Sequence, residues 1–197
     1  MSFGLGAGLL ASCVTTSSGS REIVERSKAS PPPWSTLAPG QLHEANGFLE
    51  LTYMQADLKD LPLGLKVTQL GGLRAGRSAL ASRLAARLTD YAQSHGLMLK
   101  PAVAGELGRA ADAAATDVHG RYAKVADIYF EKLADPDVSS DEGIYRIYVL
   151  ITFPEARTSE ALGDLGGRLL RSRDSTLRQL GTAAQTLART PAQPIGH

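Results

Sequence analysis

A single thiol is available in this chain, Cys13, and it closes the string Leu10-Ala11-Ser12-Cys13 directly after a short apolar run. Phe3 to Ala11 supplies the run, with Gly4, Gly6 and Gly8 keeping it slim. Ala11 and Ser12 are small enough for a peptidase pocket, as a secretory cleavage site requires. A thiol placed there can accept a diacylglyceryl thioether, so the string reads as a bacterial lipobox. On that reading residues 1–12 are a signal segment and Cys13 is the lipidation site. No Lys or Arg precedes Cys13, and a start upstream of Met1 would supply the missing basic stretch. The competing reading is an unstructured N-terminus with a chance cysteine. Nine apolar residues are too few to span a bilayer, which takes ~20. Acyl chains hold instead, at ~0.8 kcal/mol per buried CH₂. With its one cysteine so used, the chain is expected to have no disulfide framework and no cysteine-based zinc site.

Other chemistry-bearing residues form no comparable pattern. His43, His95, His119 and His197 show no pair at metal-ligand spacing on one helix face, and each is expected at the surface. No nucleophile-elbow motif occurs. Gly71-Gly72-Leu73-Arg74-Ala75-Gly76-Arg77 could open a helix and offer N–H groups and two arginines to an anion. It lacks the Gly-Lys-Ser/Thr ending of a phosphate-binding loop. Asp57 and Asp60 lack the alternating oxygen ligands of a calcium loop. Arg168, Arg171, Arg173 and Arg178 give the C-terminal region a basic side, diluted by Glu160, Asp164 and Asp174, which reads as a solvated helix face. No catalytic residue, metal, cofactor or small-molecule substrate is expected.

The elements that would surround these residues can be read from periodicity. Residues 13–46 are expected to form the lipidated N-terminus and a tether, Ser/Thr/Gly-rich at first and stiffened by Pro31-Pro32-Pro33. Trp34, the only tryptophan, is expected to dock the end of the tether on the domain. Phe48 to Gln55 alternates as a half-buried strand. Asp57 to Gly71 reads as a loop, followed by a helix from about Gly72 to His95 with an apolar stripe through Leu73, Leu80, Leu84, Leu88 and Tyr91. Gly96 is its natural stop. A second, alanine-rich helix opens at Pro101 and runs to about Val118.

Strands are expected over Arg121 to Leu133 and Tyr145 to Phe153, joined through a polar turn, the second central and buried on both sides. One long last helix starts at Thr158 or Ser159, and the tail from 190 is expected to be disordered. The fold class is α+β: strand-helix-helix-strand-strand-helix, a small three-stranded, mainly antiparallel sheet packed against helices within a single domain, 47–189. A sheet that small often pairs with another subunit.

Composition narrows the partners. Lys+Arg of 21 against Asp+Glu of 20 gives a formal net charge of +1. A nucleic-acid binder usually shows a clustered basic excess, so none is expected.

Three segments together carry a resemblance: Pro33-Trp34 after the linker, Val125-Ala126-Asp127-Ile128-Tyr129-Phe130-Glu131-Lys132, and Tyr145-Arg146-Ile147-Tyr148-Val149-Leu150-Ile151-Thr152-Phe153-Pro154. The chain resembles the small envelope lipoproteins typified by the Helicobacter twenty-kilodalton membrane lipoprotein and the flagellar protein FlgP. The likeness spans about residues 31–155. It implies a lipid-anchored strand-helix-strand-strand core, a structural role in the envelope or at the flagellum, and no catalytic residues. The expected place is the outer membrane, facing the periplasm, with self-association or other envelope proteins as partners. The alternative is a tethered regulatory module that activates an inner-membrane or cell-wall enzyme, since ~30 extended residues reach up to ~100 Å.

Overall fold

In the computed structural model, residues 21–134 and 143–189 are described. Cys13, the expected signal segment 1–12, the expected turn over 135–142 and the expected tail from 190 lie outside them. The architecture is α+β, as the periodicities predict, but the sheet has five strands rather than three. Its order is β1-β4-β5-β3-β2, with every neighbouring pair antiparallel.

The three expected strands form its centre: β3 (Phe48–Leu58), β4 (Lys124–Leu133) and β5 (Ile144–Pro154). Central β5 pairs Ile151 with Leu51 on one side and with Val125 on the other. The edges come from residues expected as tether, β1 (Ile23–Arg26) and β2 (Leu42–Ala45). Both are only four residues long, β1 mostly exposed and β2 half-buried with Leu42 against the core, so neither is long enough to show an apolar alternation. Backbone pairing to a neighbour holds them. The β2–β3 hairpin closes through Asn46 and Gly47, both at positive φ (51° and 78°), the mirror-image turn that matches strand twist.

Helix α1 (Leu61–Ser94) begins eleven residues earlier than the apolar stripe predicts, and absorbs most of the expected Asp57–Gly71 loop. Asp60 caps it, accepting the Leu63 N–H at 2.7 Å. The buried row runs at every fourth residue: Gly64, Thr68, Gly72, Gly76, then Leu80, Leu84, Leu88 and Ala92. In the first half the row is small because the helix lies directly on the sheet. A Cβ on Gly64 would stand 2.9 Å from Ile147 Cδ1, and one on Gly72 would stand 2.7 Å from Val149 Cγ2. In the second half the row turns to leucine, filling the wider space shared with Leu49 and Phe153 of the sheet and with the helices that follow. Gly96 ends the helix at φ 66°, and the Leu97 N–H returns to the Ala92 carbonyl at 2.8 Å.

Helix α2 (Pro101–Tyr122) buries Val103, Leu107, Ala111, Ala114 and Val118 against this core. The single long last helix expected from the sequence is two, α3 (Thr158–Leu170) and α4 (Ser175–Arg189). Asp174 makes the break by accepting the N–H groups of Thr176 and Leu177. The pair then folds back on itself where Gly166 and Gly181 meet; a Cβ on Gly181 would lie 2.9 Å from the Leu170 nitrogen. All four helices share one face of the sheet.

Candidate functional site: the strap across the sheet

Strand pleating sends alternate residues to opposite faces. Ile128, Val149 and Ile151 face the helices, so Asp127, Tyr129, Glu131, Tyr148 and Leu150 face away. That second face is not left open. Between β1 and β2 the chain crosses it from one sheet edge to the other, through Pro31-Pro32-Pro33 and a short 3-10 turn at Pro33–Thr36. Five residue pairs hold this strap. Ser27 exchanges hydrogen bonds with the Phe130 backbone. Lys28 Nζ bonds the Asp127 carboxylate at 2.6 Å, and Trp34 Nε1 donates to the same carboxylate at 3.0 Å. Thr52 donates to the Trp34 carbonyl at 2.7 Å, and the Gly40 N–H returns to the Thr52 carbonyl at 2.8 Å. Trp34 therefore docks this segment on the domain, as the sequence predicts.

Beside the strap lies a polar lock. Glu131, 5% exposed, accepts from the Tyr129 hydroxyl at 2.8 Å and from Arg146 Nη1 at 3.4 Å, with Arg26 Nε at 4.0 Å. Burial and the hydrogen bond to Glu131 push the Tyr129 hydroxyl up to about 12, so it stays a neutral donor. Burial also pulls the Asp127 carboxyl upward. The hydrogen bonds from Lys28, Trp34 and the Ile128 N–H outweigh it and hold the group below its ordinary range. The charges are arranged to fasten one segment to another.

The other candidate residues separate. His95 is exposed and stacks on Tyr91 at 3.9 Å, whereas His43 is half-buried on β2. His119 corrects the expectation of a surface residue. It is 5% exposed on α2, stacks on Phe153 at 6.0 Å, and stands where Gly76 leaves room: a Cβ there would lie 2.8 Å from Nε2. Burial, with the Arg77 charge second, lowers it to about 4. His197 lies outside the described residues. Among the described residues no group of three or more His, Cys, Asp or Glu could hold a metal ion.

The Gly71–Arg77 stretch is interior to α1, so its N–H groups are spent within the helix and it is no anion-binding helix start. Arg77 lies 3.7 Å from Asp112. Asp57 pairs with Arg21 at 2.6 Å, and Asp60 is consumed as the cap. Arg168 is paired with Asp164 and Asp117, and Arg178 donates to the Ser172 and Arg173 carbonyls. Grooves open on the surface among the described residues. One of about 630 Å³ lies between β2 and α1, lined by Leu42, Ala75, Ser78, Ala79 and Arg83. One of about 460 Å³ lies between Tyr91, Leu97 and the Gln179–Leu187 side of α4.

No protein family, no curated protein and no solved structure matches this chain. No helix among the described residues is long and apolar enough to cross a membrane.

Proposed function

We propose that the chain is a lipid-anchored, non-enzymatic envelope protein, acylated at Cys13. It is held at the outer membrane facing the periplasm, and serves as a structural or assembly component like the envelope lipoproteins it resembles. The observation that carries this reading is the sole thiol at the end of Leu10-Ala11-Ser12-Cys13. The fold supports a scaffold close to the membrane over a far-reaching regulatory module. Because β1 starts at Ile23, only residues 14–22 separate Cys13 from the sheet, a reach of about 30 Å at full extension. The outer edge of β2, beside the 630 Å³ groove, suits a strand from a second copy or another envelope protein.

The deciding experiment follows incorporation of labelled palmitate in cells. Wild-type chain should take up label and sediment with membranes, and Cys13→Ser should do neither. Label retained by Cys13→Ser overturns the proposal.

A further inference from the structure

The first half of α1 has two faces of opposite character. Gly64, Thr68 and Gly72 are pressed on the sheet. On the opposite side, at spacings of four and three, Leu63, Val67 and Leu70 stand 62%, 41% and 65% exposed. These are a regular apolar stripe at helical period, rather than scattered surface residues. Basic side chains rim the stripe: Lys59, Lys66 and Arg74, all exposed and without an ion pair among the described residues. Between Asp60 and Asp90 the helix carries no Asp or Glu at all. With its other side held on the sheet, an apolar stripe bordered by cations can offer a bilayer interface both acyl contact and attraction to anionic headgroups.

Position agrees with charge. Arg21, where the described chain begins, pairs with Asp57 at 2.6 Å, just ahead of the Asp60 cap. The chain therefore emerges beside the start of α1, eight residues after Cys13, at most about 30 Å along an extended backbone. We propose that the Leu63-Val67-Leu70 face of α1 lies on an anionic phospholipid bilayer, as a second contact beside the acyl anchor. This rests on the lipoprotein reading for its setting. The surface itself is testable without any acyl chain. The lipid fixes the chain to the membrane, and the helix face fixes which side of the domain points away from it.

Since Cys13 is the only thiol, the full chain with Cys13→Ser and Val67→Cys can carry one environment-sensitive fluorophore on the stripe. Vesicles of equimolar phosphatidylcholine and phosphatidylglycerol should shift its emission to the blue. Vesicles of phosphatidylcholine alone should shift it far less. The same probe at Asp90→Cys, in the Cys13→Ser chain, should not respond. In the Cys13→Ser chain, Leu63→Gln with Leu70→Gln should weaken vesicle binding about tenfold or more, with an unchanged circular dichroism spectrum. Lys66→Glu with Arg74→Glu should abolish the preference for phosphatidylglycerol. A chain that sediments with vesicles while the Val67→Cys probe stays in water overturns the proposal, because the apolar segment 3–11 then docks alone. A shift that grows with protein concentration and needs no vesicles also overturns it, by assigning the stripe to a second copy. Failure of palmitate labelling at Cys13 would leave these vesicle results standing, so the two readings fail separately.

Discussion

Trp34 and Asp127 stand 93 residues apart in the chain and are joined by a 3.0 Å hydrogen bond from the indole nitrogen to the carboxylate. Lys28 closes on the same carboxylate. One acidic side chain on β4 thus holds a proline-stiffened segment across the sheet face that the helices leave bare.

Asp127→Ala should loosen the strap at a cost of about 1 kcal/mol, kept small because Lys28 and Asp127 are each about a third exposed. Trp34 is the only tryptophan, so its fluorescence should move to the red with no loss of helix signal. The Asp127 carboxyl is held below its ordinary range, so its contribution is complete above that range. It is lost as pH falls through the folded value. An indole emission that stays constant on acidification would contradict this.

His119 gives a second pH dependence with a different window. Its folded pKa of about 4 lies below the ordinary 6.5, so the folded state disfavours the proton. Stability should be full above pH 6.5 and decline as pH falls toward 4, by roughly 2–3 kcal/mol. Urea unfolding at a series of pH values measures the slope, and His119→Leu should flatten it.

Glycines of the two long helices should respond with opposite signs. Gly72→Ala adds a Cβ 2.7 Å from Val149 Cγ2 on the packed side of α1, and overpacking there should cost about 1–3 kcal/mol. Gly108→Ala on α2 meets nothing within 4 Å, and should stabilise by about 0.5–1 kcal/mol through helix propensity. Thermal unfolding of the two variants separates the cases.

Gly47→Ala tests the hairpin that brings β2 into the sheet. At φ 78° an alanine is strained, and a loss of about 1 kcal/mol is expected. Hydrogen exchange should quicken at Leu42–Ala45 before it quickens in β5, the central strand.

Large apolar side chains made the centre of the fold legible. The alternation from Leu49 to Tyr53 and from Ile147 to Phe153 located β3 and β5, and Leu80, Leu84 and Leu88 located the second half of α1. Gly96 and Pro101 marked a helix stop and a helix start. The first half of α1 was not legible because the row it packs on the sheet is glycine and threonine, while its large apolar residues Leu63, Val67 and Leu70 face away from the core. The β2 edge did have a signal, Asn46-Gly47, a dipeptide suited to a tight hairpin turn. The break after Leu170 also had one, in Asp174 as a capping residue.

The amino-acid sequence by itself determined the single thiol and its small-residue approach, the central strands and the leucine half of the long helix. Each of these is a local pattern. Tertiary structure decided the five-stranded sheet, the Trp34–Asp127 fastening, the burial of His119 against Gly76 and the isolation of the Leu63-Val67-Leu70 face. Each of these depends on a partner far along the chain: a strand to pair with, a carboxylate to reach, or a sheet that takes up the glycine side of a helix and leaves its leucines outside.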